Sequence, residues 1–366
     1  MASWEELEPR LTELLDLDSA AQIEQLNALA ETQPDLAAEL RELLNAAEQT
    51  RWDQQMSGAA ASDVVQALGA QIDQAQDLTE QRIGRYQTRQ LLGRGGMGAV
   101  YLAERADGAF EQTVALKVLP GRSFTSAVGE RFLIERQILA RLEHANIARL
   151  LDGGLTAEGS PYFVMEYVAG TDIASYCEQQ QLSLIERLRL FDTLLSAVAF
   201  AHSQLVVHGD LKPDNVLIAT SGEPKLLDFG IATVLNRSAS DQAAALALTP
   251  NYASPEQARG EPVSALSDLY ALGALLYRLL TGRVPVDHSG AAAASLAQRV
   301  GQVEVTPASA ASVVSGVNVE LDMIIDKALA FDPAQRYGSV AQMQADLRRF
   351  QDHEPLLAHP PSQAYA

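Results

Sequence analysis

His208-Gly209-Asp210-Leu211-Lys212-Pro213-Asp214-Asn215 is a polar loop set between two apolar runs, residues 205–207 and 216–218. An Asp, a Lys two residues later and an Asn three beyond that share this stretch. That is an economical way to bring a base, a phosphate-binding cation and a metal ligand together. The reading of the whole chain turns on whether the remaining residues supply the partners that such a loop needs.

The chain has 366 residues and an apolar fraction of 47%, enough for two or three domains with a substantial core. Its one cysteine, Cys177, excludes an intrachain disulfide and reads as a small, half-buried side chain. The formal net charge is −20, and residues 1–82 hold seventeen acids against four arginines and no lysine, a net of −13. That surface argues against a nucleic-acid partner and for plain solubility. Residues 1–20 carry acids where a secretory leader needs positive charge. The most apolar window, residues 265–280, contains Asp268 and Arg278 and is too short to cross a bilayer. No membrane segment is read, and the expected location is cytoplasmic. Only four lysines occur, Lys117, Lys212, Lys225 and Lys327, in a chain that otherwise uses arginine. Lysine is thus kept for positions that need a compact point charge.

Four regions follow from texture. Residues 1–50 form an acidic helical unit: Trp4, Leu7, Leu11 and Leu14 recur at helical spacing, then Ile23, Leu26 and Leu29, then Leu36, Leu40 and Leu43. Residues 51–85 are a weakly helical segment and linker, flexible around 56–62, with a helix over 64–72. Residues 86–350 start with strands over 86–92, 99–104 and 112–119, with a turn at Asp107-Gly108. A helix over 126–143 and strands over 148–151 and 162–166 come next. Past Gly170, helices are predicted over 182–203, 265–280, 321–330 and 341–350, and residues 291–294 and 308–316 are read as surface loops. Residues 351–366 are a tail without a closing element. The class is α+β, a small antiparallel sheet followed by a larger helical part.

Gly93-Arg94-Gly95-Gly96-Met97-Gly98 is a G-x-G-x-x-G loop. A dinucleotide fold would need a helix after it, whereas Val100 and Tyr101 continue a strand. A glycine-rich hairpin instead lets backbone N–H groups approach phosphates, because no Cβ stands in the way. Ala115 and Lys117 share one face of the next strand, a small residue leaving room for a flat base with a cation beyond it. Glu135 on the following helix is a candidate partner for Lys117. Asp228, at the end of an apolar stretch and followed by Phe229-Gly230, would complete with Asn215 a two-oxygen site for Mg²⁺.

Glycine loop, strand Lys, helix Glu, HGDLKPDN, Asp-Phe-Gly and Ser254-Pro255-Glu256 follow the order of the protein-kinase signature set. Over residues 86–350 the chain resembles the eukaryotic-type Ser/Thr protein kinases, most nearly their bacterial branch through GRGGMGAVYLAER at 93–105. The resemblance implies a bilobal kinase fold with an N-terminal helical extension. It also implies transfer of the ATP γ-phosphoryl group to Ser or Thr hydroxyls of proteins, this chain included. Leu92, Gly93, Gly95, Gly96, Gly98 and Val100 would cover the ATP phosphates, and Lys117 would contact them while paired with Glu135. Ala115, Met165 at the gatekeeper position, and Glu166 and Val168 in the hinge would hold adenine. Asp210 matches the catalytic base, Lys212 the γ-phosphate cation, and Asn215 and Asp228 the metal ligands. Asp268 matches the buried carboxylate under the catalytic loop, and Arg336 the partner of Glu256. Leu139, Leu150, His208 and Phe229 match the stacked regulatory spine. Ser238, Ser240, Thr249 and Glu256 fall in the activation segment.

Two positions depart from the pattern. Leu248 stands where a Gly often precedes the Thr. Gly209 stands where most members carry an Arg that pairs with an activation-loop phosphate, a charge-assisted contact of roughly 1.5–3 kcal/mol. Activity independent of activation-loop phosphorylation is therefore expected. A small-molecule phosphotransferase of the aminoglycoside or choline kinase type is the rival enzyme, disfavoured by Lys212, the full glycine loop and the Ser-Pro-Glu segment. A pseudokinase scaffold would need a missing catalytic residue, and none is missing. The acidic N-terminal helices are the candidate partner or dimer contact. The chain ends soon after its last helix, where related bacterial kinases continue, and it reads as trimmed.

Overall fold

A computed structural model describes residues 4–15, 17, 22, 25, 29, 40, 78–95, 98–119, 142–157, 159–229, 251–286 and 305–358. Of the acidic extension, helix α1 (Trp4–Leu15) is described. Its stripe residues Leu11, Leu14 and Leu15 are buried within the chain, and Gln22 closes its end by donating to the Leu14 carbonyl at 3.0 Å. Of the other helices expected in residues 16–72, only residues 22, 25, 29 and 40 are described, each helical; the rest lie outside the described residues, as do the loop 291–294, the residues beyond 358 and the helix expected over 126–143 except residues 142–143, which are not helical.

The small lobe is one antiparallel sheet of β1 (Arg82–Ile83), β2 (Tyr86–Gly95), β3 (Gly98–Arg105), β4 (Thr113–Val118), β5 (Leu150–Leu155) and β6 (Pro161–Glu166). The spatial order is β1-β2-β3-β4-β6-β5. Alternation sends Tyr101, Ala103, Val114, Leu116 and Val164 into a common core. Side chains tie β5 to the start of β2: Asp152 on β5 accepts from the Tyr86 hydroxyl at 3.3 Å and lies 3.2 Å from Arg85 Nε. Gly84 makes the tight turn from β1 to β2 possible. Its φ is +59°, and a Cβ there would collide with the Tyr162 hydroxyl.

Two expectations are corrected in this lobe. Of residues 78–85, read as linker, Arg82–Ile83 form β1 and residues 78–81 are held against the sheet. Thr88, fully buried on β2, donates its hydroxyl to the Leu78 carbonyl and accepts the Gln81 N–H at 2.9 Å, and the Tyr101 hydroxyl accepts the Leu78 N–H at 3.2 Å. The strand expected over 148–151 runs instead from Leu150 to Leu155. Gly153 and Gly154 carry no side chain to show the alternation, yet they keep full pairing with Phe163 and Tyr162.

The large lobe opens with a three-stranded sheet of β7 (Gly170–Asp172), β8 (Val216–Ala219) and β9 (Pro224–Leu226), together with α2 (Ile173–Gln179). Around it lie α3 (Leu184–Ser203), α4 (Pro255–Ala258), α5 (Ala265–Thr281), α6 (Ala308–Ala311), α7 (Val319–Ala328) and α8 (Val340–Gln351). Caps set the helix bounds. Ser183 with Glu186 closes the start of α3, so the helix begins two residues later than its apolar pattern suggests. Ser264 opens α5, and Gly282 ends it in the left-handed conformation. Phe191, Leu195, Leu272, Leu276, Ile324 and Leu347 join α3, α5, α7 and α8 in one core. Residues 308–311, expected in a loop, form a helical turn with Ala308 buried. Asp322 of α7 holds that turn by accepting from the backbone and the hydroxyl of Ser309.

Candidate active site

The loop 208–215 leaves α3 and enters β8, and it is fixed from below by one carboxylate. Asp268, 1% exposed near the start of α5, accepts the N–H of His208 through Oδ2 and of Gly209 through Oδ1, each at 2.8 Å. His202 Nε2 lies 2.7 Å from the same Oδ2. Gly209 has φ +78°, a conformation that costs an L side chain strain. Its carbonyl accepts from the side-chain amide of Gln257 at 2.8 Å. The glycine thus has a conformational reason as well as a missing guanidinium, which motif comparison alone does not disclose.

The three polar groups of the loop come together. Lys212 Nζ lies 2.7 Å from Asp210 Oδ2. Asn215 donates both amide hydrogens to Asp210, to its carbonyl at 2.7 Å and its carboxylate at 3.1 Å. The amide nitrogen is thereby engaged, and the side-chain oxygen of Asn215 is the atom left to face a cation. Leu227 N–H donates to the Asn215 carbonyl at 2.9 Å, which sets Asp228 beside Asn215. Asp228 has φ +58°, and its carboxylate meets Lys117 Nζ at 2.8 Å. Lys117 is 5% exposed, so this ion pair is drawn well out of water. Glu135, the expected partner of Lys117, lies outside the described residues.

The expected nucleotide side is built by strand register. Ala115 pairs with Met165 across β4 and β6, and Val100 pairs with Lys117 across β3 and β4, so the four line neighbouring rungs. Leu92 and Gly93 are exposed and Val100 is half-buried. Gly98 has φ +114°, and a Cβ there would run into the Val118 carbonyl, so close crossing of strands requires this glycine. Gly95 ends β2, while Gly96 lies outside the described residues. The Glu166 side chain is engaged away from the nucleotide side: its carboxylate binds Lys225 Nζ at 2.8 Å. Val168 is half-buried just beyond it. His208 and Phe229 pack with ring centroids 4.8 Å apart and planes tilted by 57°, and Leu150 is half-buried in the same core, whereas Leu139 lies outside the described residues.

Ser238, Ser240 and Thr249 also lie outside them. Glu256, at the far end of that segment, forms a two-pronged ion pair with Arg336, 2.8 Å at each contact, as the resemblance implies. Burial alone would raise the Glu256 carboxyl. Hydrogen bonds from Arg336 and Ser267, with the Arg336 charge, outweigh burial and hold it at about 2. Burial pushes the Tyr252 phenol up to about 12, so it stays neutral beside the catalytic loop.

Sequence reasoning missed Gln257. The Ser254-x-x-Gln257 spacing is a visible capping-box pattern, but it gave only a helix start. All four lysines are engaged: Lys117 and Lys212 at the cleft, Lys225 on the hinge, and Lys327 over the Tyr337 ring at 4.7 Å.

Comparison with known proteins places this geometry. Residues 86–347 match the protein kinase domain. The serine/threonine-protein kinase PrkC of Bacillus subtilis is 39% identical over 275 residues, 75% of this chain and 41% of that protein. PknB of Mycobacterium tuberculosis is 36% identical over 278 residues, 74% of this chain and 44% of that protein. The chain thus spans less than half the length of these curated relatives. Among solved structures, the PknI kinase domain of Mycobacterium tuberculosis matches with a TM-score of 0.58 and 28% identity, covering 75% of this chain and 98% of that one. The chain belongs to the protein kinase domain family.

Proposed function

We propose that this chain is a bacterial Ser/Thr protein kinase that transfers the γ-phosphoryl group of ATP to Ser or Thr hydroxyls of proteins, its own among them. The observation that carries this reading is the joint placement of Asp210, Lys212 and Asn215 on one braced loop, with Asp228 and Lys117 adjoining. Asp210 accepts the hydroxyl proton as that oxygen bonds to the γ-phosphorus, the bond to the bridging oxygen breaks, and ADP leaves. Lys212, already against Asp210, offers its charge to the moving phosphoryl group. Ala115, Met165 and the backbone of residues 166–168 hold adenine, under the glycine loop from Leu92 to Val100, and Lys117 meets the phosphates. Family members use ATP with a divalent metal. The hard oxygens of Asn215 and Asp228 fit Mg²⁺, which would neutralise phosphate charge when bound.

Gly209 supports activity without activation-loop phosphorylation, since residue 209 has no guanidinium to receive a phosphate. No described helix is long and apolar enough to cross a membrane. A partner contact through the acidic N-terminal helices has weaker support, because the Leu11, Leu14 and Leu15 stripe is already covered within the chain.

The test is phosphosite mapping after incubation with Mg-ATP, comparing the wild type with Asp210→Asn. Phosphate on Ser and Thr in the wild type alone is expected. Folded wild-type protein that transfers no phosphate overturns the reading. Thr249→Ala and Ser238→Ala proteins should keep activity; a fall to background would remove the proposed independence from loop phosphorylation.

A further inference from the structure

Gln257 is 6% exposed, and its side chain has hydrogen-bond partners at both ends. Its Oε1 accepts from the backbone N–H and the hydroxyl of Ser254, each at 3.0 Å. These two donors fix which way the amide faces, so its Nε2 points to the Gly209 carbonyl, 2.8 Å away. That carbonyl belongs to the peptide unit whose nitrogen is Asp210's, and the Asp210 N–H in turn donates to His208 Nδ1 at 3.3 Å. The plane that delivers Asp210 is thus held at its oxygen by Gln257 and at its nitrogen by His208. Asp268 holds the preceding N–H.

The residue in the middle is a glycine at φ +78°. Glycine has the widest backbone freedom of any residue, so nothing intrinsic to position 209 keeps this peptide from rotating. Nor has it a side chain with which to reach the segment 251–258. Gln257 is the described side chain that spans from that segment to the 209 backbone. Its neighbour Glu256 is itself locked by Arg336 and by Ser267, so the clamp stands on a fixed base.

We infer that Gln257 is a positioning residue for Asp210: it orients the base through the Gly209 carbonyl and links the end of the activation segment to the catalytic loop. This rests on the kinase reading above. A base displaced by a fraction of an ångström loses rate without losing nucleotide affinity, because Asp210 acts in the transfer step and not in holding adenine.

The test uses the full chain with Mg-ATP, and an Asp210→Asn copy of the same chain as phosphate acceptor. Gln257→Leu should lower kcat roughly tenfold while KM for ATP and the affinity for a non-hydrolysable ATP analogue stay within about twofold. Gln257→Glu is nearly isosteric and carries the test if the leucine protein does not fold. At pH 8 its carboxylate faces a carbonyl and the loss should be at least as large. As pH falls, the buried carboxyl protonates and regains a donor, so its activity relative to wild type should climb. Gln257→Leu with wild-type kcat overturns the inference, as does a Gln257→Glu ratio flat across pH with ATP affinity falling in step with kcat. A wild type that phosphorylates nothing overturns the kinase reading and this inference together, whereas an active wild type beside an equally active Gln257→Leu overturns the inference alone.

Discussion

Glu256 and Arg336, 80 residues apart in the chain, meet in a two-pronged ion pair with both contacts at 2.8 Å and almost no exposure to water. Arg336 also donates to the carbonyls of Ala330 and Leu266, so it ties the turn after α7 to the start of α5 as well as to α4.

Replacing Arg336 with Met strands a buried carboxylate and is expected to cost about 3–5 kcal/mol in urea unfolding. The folded carboxyl of Glu256 sits at about 2 against an ordinary 4.5. The stability it contributes is therefore complete above pH 4.5 and is lost as pH falls toward 2. A wild-type melting profile should decline in that window, and the decline should be shallower in Arg336→Met.

Gly209→Ala tests the backbone reading of the catalytic loop. A Cβ at φ +78° should cost roughly 1–2 kcal/mol in denaturant unfolding. An unchanged midpoint would mean that the loop tolerates the side chain by relaxing.

Arg187 is 4% exposed, and its described partners are carbonyls: Leu182 at 2.8 Å, Leu279 at 2.5 Å and Cys177 at 3.1 Å. The planar fork serves three acceptors around the ends of α2 and α5. Lysine keeps the charge but not the fork, so Arg187→Lys should lose roughly 2–4 kcal/mol despite its conservative appearance.

Asp346 is fully buried on α8 and accepts the N–H groups of Leu357 at 2.6 Å and Ala358 at 2.8 Å, with the Tyr337 hydroxyl at 3.1 Å. It anchors the segment that follows α8, where a featureless tail was expected. Asp346→Leu should release residues 354–358, read as faster limited proteolysis at that segment.

How far the sequence could be read depended on the distance over which each feature is decided. Helix α5 was legible because its apolar pattern, its Ser264 cap and its Gly282 stop are all local. The two lysines of the cleft, Asn215, Asp228 and the Glu256–Arg336 partnership were legible because a shared motif order carries them. Strands β7 and β9 were not, since three residues give no alternation to detect. Gln257 was hidden for another reason. Its role is set by a backbone oxygen 48 residues away, and a glycine gives no chemical hint that its carbonyl needs a donor. Lys225 was singled out as a lysine, but its partner Glu166 is 59 residues distant, and neither local pattern points to the other.

The meeting of Arg85 and Tyr86 with Asp152 works as a seam. A six-stranded sheet laid open would offer two rows of unpaired backbone groups to any passing extended chain. Here one carboxylate on β5 ties that border back to the start of β2. Replacing Asp152 should therefore do more than weaken a surface ion pair: it should loosen the tie between the start of β2 and the border formed by β5.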